Sequence, residues 1–257
     1  MNPAERDKIV GAAPEGARDR DSAARAVREM FTSIAPRYDL LNHLLSLNVD
    51  RLWWWRTARR FDTVLKRPGA RVLDLCCGTG DMTFALHRRS SKRAEILGTD
   101  FSHAMLLRAA VKANGALAGN PAPCLRWVEA DALCLPFPAR HFDLVTTAFG
   151  FRNLADYDAG LAEIARVLRP DGELGILDFG DPRGLIGGIY RVYFRKVLPA
   201  IGTLISGVRG PYAYLPASVE RFPSPEEMLR RMRQAGFRQV SWTPYTMGVA
   251  GLYWGRL

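Results

Sequence analysis

The stretch "VLDLCCGTGD", residues 72–81, decides the fold. Val72, Leu73 and Leu75 form a short apolar run of strand type, and Gly78-Thr79-Gly80 follow at once, ahead of a helical pattern. A strand that passes through a glycine turn into a helix lets its backbone approach a ligand closely. Glycine has no Cβ to hold the ligand off, and the first N–H groups of the helix point at anionic or polar groups. The G-x-G-x-x-G spacing of dinucleotide-binding turns is not met, because Asp81 and Met82 follow Gly80, and this argues against a nicotinamide cofactor.

Outward from this turn, apolar runs alternate with helical patterns. Strands are expected over 71–76, 95–100, 126–131, 142–149 and 173–179, and helices after Gly80, from Ser102 and over 156–168, where Pro170 and Gly172 end the helix. That order predicts an α/β fold with a doubly wound, mostly parallel, seven-stranded sheet of Rossmann-like type. Residues 238–242 and 247–254 complete it as an antiparallel pair. A helix is signalled by "SPEEMLRRMRQAG", with Ser224 as N-cap, Pro225 at the first helical position, Glu227 closing a capping box and Gly236 at the end.

The remaining segments divide by composition. Residues 1–25, rich in Ala, Gly, Arg and Asp, read as a flexible tail, and 26–70 as an N-terminal helical lid. Residues 71–257 form the main domain, with an amphipathic helical insertion at 180–215 after the fifth strand. Trp53, Trp54 and Trp55 are consecutive and cannot share one helix face, so they read as packing residues and not as a base-stacking platform.

A chain of 257 residues with 48% hydrophobic content is long enough for one domain with a sizeable core. Four cysteines without framework spacing, a charged amino terminus and the lack of a long apolar run point to the cytoplasm. The net charge of +10 favours an anionic partner: nucleic acid, a membrane face or an acidic small molecule. His87 and His103 have no second ligand at metal spacing, so both read as exposed helix residues and no metal is expected.

Asp100 closes the second strand roughly 20 residues beyond the glycines, where doubly wound folds grip ribose hydroxyls, and Asp131-Ala132 close the third. With the glycine turn, these resemble the S-adenosylmethionine site of a class I methyltransferase. The segments "FTSIAPRYDLLNHLLSLNVDRLWW", "ADALCLPFPARHFDLVTTAFGFRN", "RVLRPDGELGILDF" and "YAYLPASVERFPSPEEMLRRMRQAGF" extend the likeness over residues 28–256. The chain resembles the demethylmenaquinone and ubiquinone-biosynthesis C-methyltransferases. It departs from them at Cys76, where Gly or Ala is common, at Ala148, where some members carry serine, and in "TMGVAGLYWG" near the carboxyl end.

The resemblance implies transfer of the methyl of S-adenosylmethionine to a ring carbon of a polyprenylated quinol, demethylmenaquinol before others. It implies cofactor contacts from Asp74, Gly78, Thr79, Gly80, Asp100, Asp131 and Ala132. On the acceptor side Arg152 is expected to donate to the developing oxyanion, since it stays protonated, with Asn153 as a neutral donor. Tyr38 and Asn42 are expected to reach the ring from the lid, and His43 or water to take the proton.

The lipid-tailed substrate, with Arg51, Arg56, Arg59, Arg60, Lys66 and Arg67 near the lid, suggests peripheral contact with the inner face of an anionic membrane. A homodimer is left open. The alternatives are a class I methyltransferase of another small molecule or, more distantly, of RNA. Nucleic acid is not expected, because the Asn/Asp-Pro-Pro-aromatic motif of amino-methylating enzymes is absent after the fourth strand. Pro123-Cys124 precedes the third strand, the wrong place for a cytosine-C5 nucleophile.

Overall fold

Four consecutive buried residues, 72–75, mark a strand covered on both faces, as expected when parallel neighbours and crossover helices surround it. The computed structural model describes residues 9–39, 46, 48–90, 93–116, 125–180, 182 and 211–257. In chain order these form α1 (Arg20–Ile34), a 3-10 turn (Ala35–Arg37), α2 (Val49–Arg60), α3 (Asp62–Leu65), β1 (Arg71–Leu75), α4 (Asp81–Ser90) and β2 (Glu95–Asp100). There follow α5 (His103–Ala116), β3 (Leu125–Glu129), β4 (Phe142–Ala148), a 3-10 turn (Phe151–Asn153), α6 (Tyr157–Val167) and β5 (Leu168–Phe179). The chain closes with α7 (Pro211–Arg221), α8 (Pro225–Gln234), β6 (Gln239–Tyr245), a 3-10 turn (Thr246–Gly248) and β7 (Ala250–Arg256).

The sheet has the order β3-β2-β1-β4-β5-β7-β6. The first five strands in that order run parallel, and β7 lies antiparallel to both β5 and β6. Strand order reverses between β1 and β4, so their carboxyl ends leave a crevice where the chain departs in opposite directions. On one face α6 and α8 bury Leu161, Ile164, Met228 and Met232 against β1, β4 and β5. On the other, α2, α3 and α4 bury Trp53, Trp54, Phe61, Leu65 and Leu86. Trp55 stays 47% exposed, so the three tryptophans do divide between core and surface.

Several boundaries differ from expectation. The ordered chain begins before Ala26: Asp19 caps α1 by accepting from the Ser22 N–H, and the N–H groups of Val10, Gly11 and Ala12 donate to the carbonyls of Leu154 and Ala155. A polar, alanine-rich composition reads as a tail because it gives no hint of these long-range partners. β5 starts at Leu168, five residues before the expected strand, with an irregularity in its pairing to β4 that takes in Pro170 and Gly172. Ser224 caps α8 as expected, but the Glu227 carboxylate does not close the box and instead pairs with Arg230 and Arg231. His87 is buried, not exposed, whereas His103 is exposed beside Glu129. No group of metal-binding side chains occurs among the described residues. Of the expected insertion, 181 and 183–210 lie outside the described residues, as does Cys124.

Gly175 shows how tightly the lid side is fitted to the sheet. A Cβ there would lie 2.5 Å from Cζ and 2.7 Å from Cε2 of the fully buried Phe61 ring, which closes α2. Gly175→Ala is therefore expected to overpack this contact and cost about 1–3 kcal/mol. For a chain of this size that lowers the thermal unfolding midpoint by roughly 2–10 °C. A midpoint equal to wild type would show that the ring can move aside.

Candidate active site

At the crevice, the loops after β1, β2, β3 and β4 and the lid enclose about 680 Å³ of space, part of it open to solvent. Tyr38, Gly78, Asp100, Asp131, Ala132 and Asn153, all expected from the sequence, line it together. Asp100 holds the centre. Its Oδ2 accepts from the Gly78 N–H at 2.9 Å and its Oδ1 from the Ser102 N–H at 2.9 Å, with the Phe101 N–H as a third, weaker donor, so part of the carboxylate's acceptor capacity remains. Burial pushes its carboxyl up to about 6, opposed by those backbone donors. Gly78, at φ 56°, needs the left-handed freedom of glycine to turn its N–H onto the carboxylate.

Phe101, Met105, Ala132 and Leu133 form an apolar slot beside Asp100, and Asp131 lies at its rim, accepting from the Leu133 N–H at 2.9 Å. A carboxylate with free lone pairs next to an apolar slot fits a nucleoside: ribose hydroxyls on the carboxylate, a purine in the slot. A wider and more open cleft, about 1340 Å³, lies between α2 and α4 and is lined by Arg51, Trp55, Arg88 and Lys112. None of the expected site residues lines it.

Four expected residues stand elsewhere. Asp74 is buried within β1, where Thr83 and Thr146 donate to its oxygens at 2.5 and 2.9 Å, and burial pushes its carboxyl up to about 7. It supports the turn from behind. The Thr79 hydroxyl points away from the cavity and donates to Asp39 Oδ1 at 2.5 Å. Gly80, at φ 89°, serves packing, since a Cβ there would lie 2.7 Å from the Trp127 ring. Arg152 is the fourth. Its guanidinium donates to the Asp178 carboxylate at 2.8 Å and to the Phe149 carbonyl, and it lies over the Phe179 ring. Both ions are buried, at 5% and 0% exposure, so the arginine serves a buried carboxylate and not an oxyanion in the cavity. Asn42 and His43 lie outside the described residues.

The loop after β4 owes its shape to this pair. Phe149, a cavity residue, sits at φ 58°, a conformation costly for a side-chain-bearing residue. Three bonds hold it there: its N–H donates to Leu177 O at 2.7 Å, and its carbonyl accepts from Arg152 and from Asn153 Nδ2. Because that carbonyl can only accept, the Asn153 amide nitrogen must face it, and the Tyr214 hydroxyl must donate to Asn153 Oδ1, at 3.2 Å. Burial pushes the Tyr214 hydroxyl up to about 12, so it keeps the proton it donates. Tyr214, Asp178, Phe149 and Cys76 were missed. "FGFRN" contained Phe149, but nothing local marks Tyr214 or Asp178 as its neighbours.

Two outcomes test this geometry. As pH falls through about 6, Asp100 takes up a proton and loses acceptor capacity, so affinity for S-adenosylmethionine should be constant above that pH and fall below it. Asp100→Asn should lower affinity at least about 100-fold, by analogy with losing charge-assisted bonds. Calorimetry from pH 8 to pH 5 showing flat affinity would overturn the assignment. Separately, Arg152→Met should destabilise by about 3–5 kcal/mol in denaturant unfolding, because it strands a buried carboxylate. Adding Asp178→Asn, which needs no counter-charge, should recover part of the loss.

The chain is 49% identical over 92% of its length to the "Demethylmenaquinone methyltransferase" of Deinococcus radiodurans, covering 95% of that protein. It is 43% identical over 89% of its length to the "Ubiquinone/menaquinone biosynthesis C-methyltransferase UbiE" of Geobacter sulfurreducens, covering 87% of it. A crystal structure of a SAM-dependent methyltransferase from Aquifex aeolicus superposes with a TM-score of 0.54 at 18% identity, over 74% of this chain and 83% of that one, which speaks for the fold. The pattern of the ubiE/COQ5 methyltransferase family matches residues 19–256, and with these relatives and a crevice at the switch point of a doubly wound sheet, the chain belongs to that family.

Proposed function

We propose that the protein methylates a ring carbon of demethylmenaquinol with S-adenosylmethionine. The observation that carries the reading is the continuity of one cavity from the ribose-gripping Asp100 to an aromatic wall of Phe31, Tyr38 and Phe149 with the Asn153 amide beside it. The choice of a naphthoquinol over a benzoquinol is supported by the higher identity to the relative named for demethylmenaquinone alone.

When bound, S-adenosylmethionine supplies a methyl group on a sulfonium and leaves as a neutral thioether. Asp100 holds the ribose hydroxyls and so fixes where the methyl stands. A quinol carbon becomes nucleophilic as the neighbouring hydroxyl loses its proton, and phenols ionise near pKa ~10, so the anion needs stabilisation at neutral pH. Asn153 Nδ2 carries a second proton beyond the one given to Phe149, free for that oxygen. Phe31, Tyr38 and Phe149 exclude water, which strengthens the bond. Arg152 acts through the backbone, holding Phe149 and Asn153 in place.

Attachment to an anionic membrane face belongs to the same reading. The outer face of α2 exposes Arg51, Leu52, Trp55, Arg56, Arg59 and Arg60, with Leu52 at 50% exposure, and none of these arginines pairs with a carboxylate among the described residues. Lys66 and Arg67 instead pair with Asp62 and Asp143. Basic groups gain about 1 kcal/mol each near such a surface. The inner face of the same helix carries Trp53, which packs on Phe149 at the cavity wall. No helix among the described residues is long and apolar enough to cross a membrane.

Demethylmenaquinol and its benzoquinol counterpart, each in anionic or neutral vesicles, should be offered with radiolabelled S-adenosylmethionine. Label is expected mainly in the naphthoquinol, faster from anionic vesicles, with that advantage lost at high salt. A faster benzoquinol reaction would reassign the substrate, and equal rates from both vesicle types would remove the membrane.

A further inference from the structure

We propose that Asp39 is a positioning residue that fastens the lid to the glycine turn and so sets how long the cofactor stays bound. Asp39 adjoins Tyr38, whose ring lines the cavity and lies 3.8 Å from where a Cβ on Gly78 would stand. Outside the same turn, the Lys112 ammonium spends its three protons on Asp81 Oδ1 at 2.7 Å, Asp39 Oδ2 at 3.0 Å and Thr79 Oγ1 at 3.2 Å. Thr79 returns its own proton to Asp39 at 2.5 Å, so lid, turn and α5 close into one network.

Two ties of α1 land nearby, with Thr32 and Ser102 hydroxyls 3.0 Å apart and Arg28 over the Phe101 ring. Lid contacts thus converge on residues flanking Gly78 and Asp100, and a ligand held there leaves only when they open. Asp39 and Lys112 are 34% and 29% exposed, so their pair is screened by water. A screened pair adds little to global stability and breaks readily, which suits a fastening that must release on every turnover. The inference rests on the cavity being the S-adenosylmethionine site.

Stopped-flow displacement of bound S-adenosylhomocysteine, together with steady-state kinetics, tests it. Asp39→Ala and Lys112→Ala should each speed dissociation and raise the KM for S-adenosylmethionine roughly two- to fivefold, the order expected for a screened ion pair. The kcat should not fall and the melting temperature should stay near wild type. Asp39→Asn, which keeps an acceptor for Thr79 and Lys112 but loses the charge, should retain part of the slow dissociation, a graded rescue that a merely structural role would not require. Unchanged dissociation in both single variants, or a loss of kcat without faster dissociation, overturns the fastening alone. A wild-type protein that binds no S-adenosylmethionine overturns the cavity reading and the fastening with it.

Discussion

The pairing of Arg152 with Asp178 is the interaction on which the acceptor side depends. A carboxylate with no exposure at the end of β5 requires compensation, and it receives the Arg152 guanidinium and the N–H groups of Arg152 and Phe179. The same constraint recurs across the sheet with different answers. Asp100 at the end of β2 is met by backbone donors and left with acceptor capacity for a ligand, while Asp74 inside β1 is met by two threonine hydroxyls. Burial raises the carboxyls of both Asp74 and Asp100. Three buried acids on three strands of the sheet therefore do three jobs: fixing a loop, gripping a ligand and bracing a turn.

What was legible in the sequence is what depends on neighbours along the chain. Strand 95–100 is legible to the residue because a short apolar run ends at Asp100, and the glycine turn with Asp100 follows from spacing in a doubly wound sheet. Arg152 is expected to be a ligand donor because it stays protonated and the loop after the fourth strand of a class I sheet borders the transferred methyl. Its acceptor instead lies 26 residues away in Asp178, a partner that only the β4–β5 pairing brings near. Thr79 failed likewise, since a threonine between two glycines can turn either way and the competing acceptor, Asp39, comes from the lid. Residues 10–12 dock on 154–155 through backbone groups, which no side-chain pattern encodes.

The lid joins two kinds of surface through short helices. On α2, alternate pairs of residues are buried and exposed, so Trp53 reaches the cavity wall while Leu52 and Trp55 face outward. The Trp53 indole also donates to Thr246 at 2.8 Å, in a turn that precedes β7. The helix is thereby anchored on the far strands of the sheet, and the aromatic cluster of Trp53, Phe149 and Phe179 spans from lid to β5. Displacing α2 would disturb the wall that faces the acceptor.

Cys76 and Phe149 each follow the last residue of a strand on either side of the crevice, and both have left-handed backbones, at φ 53° and 58°. A Cβ added to Gly150 would lie 2.4 Å from that of Cys76, so the two lips of the crevice pack against each other. Strain of this kind persists only where the surroundings over-determine it. Its consequence is preorganisation: the fold itself holds the lips in a conformation a free loop would rarely visit, so a ligand need not order them on arrival. Side chains around the cavity can then vary to suit differently sized rings, while the backbone frame around the point of transfer stays put.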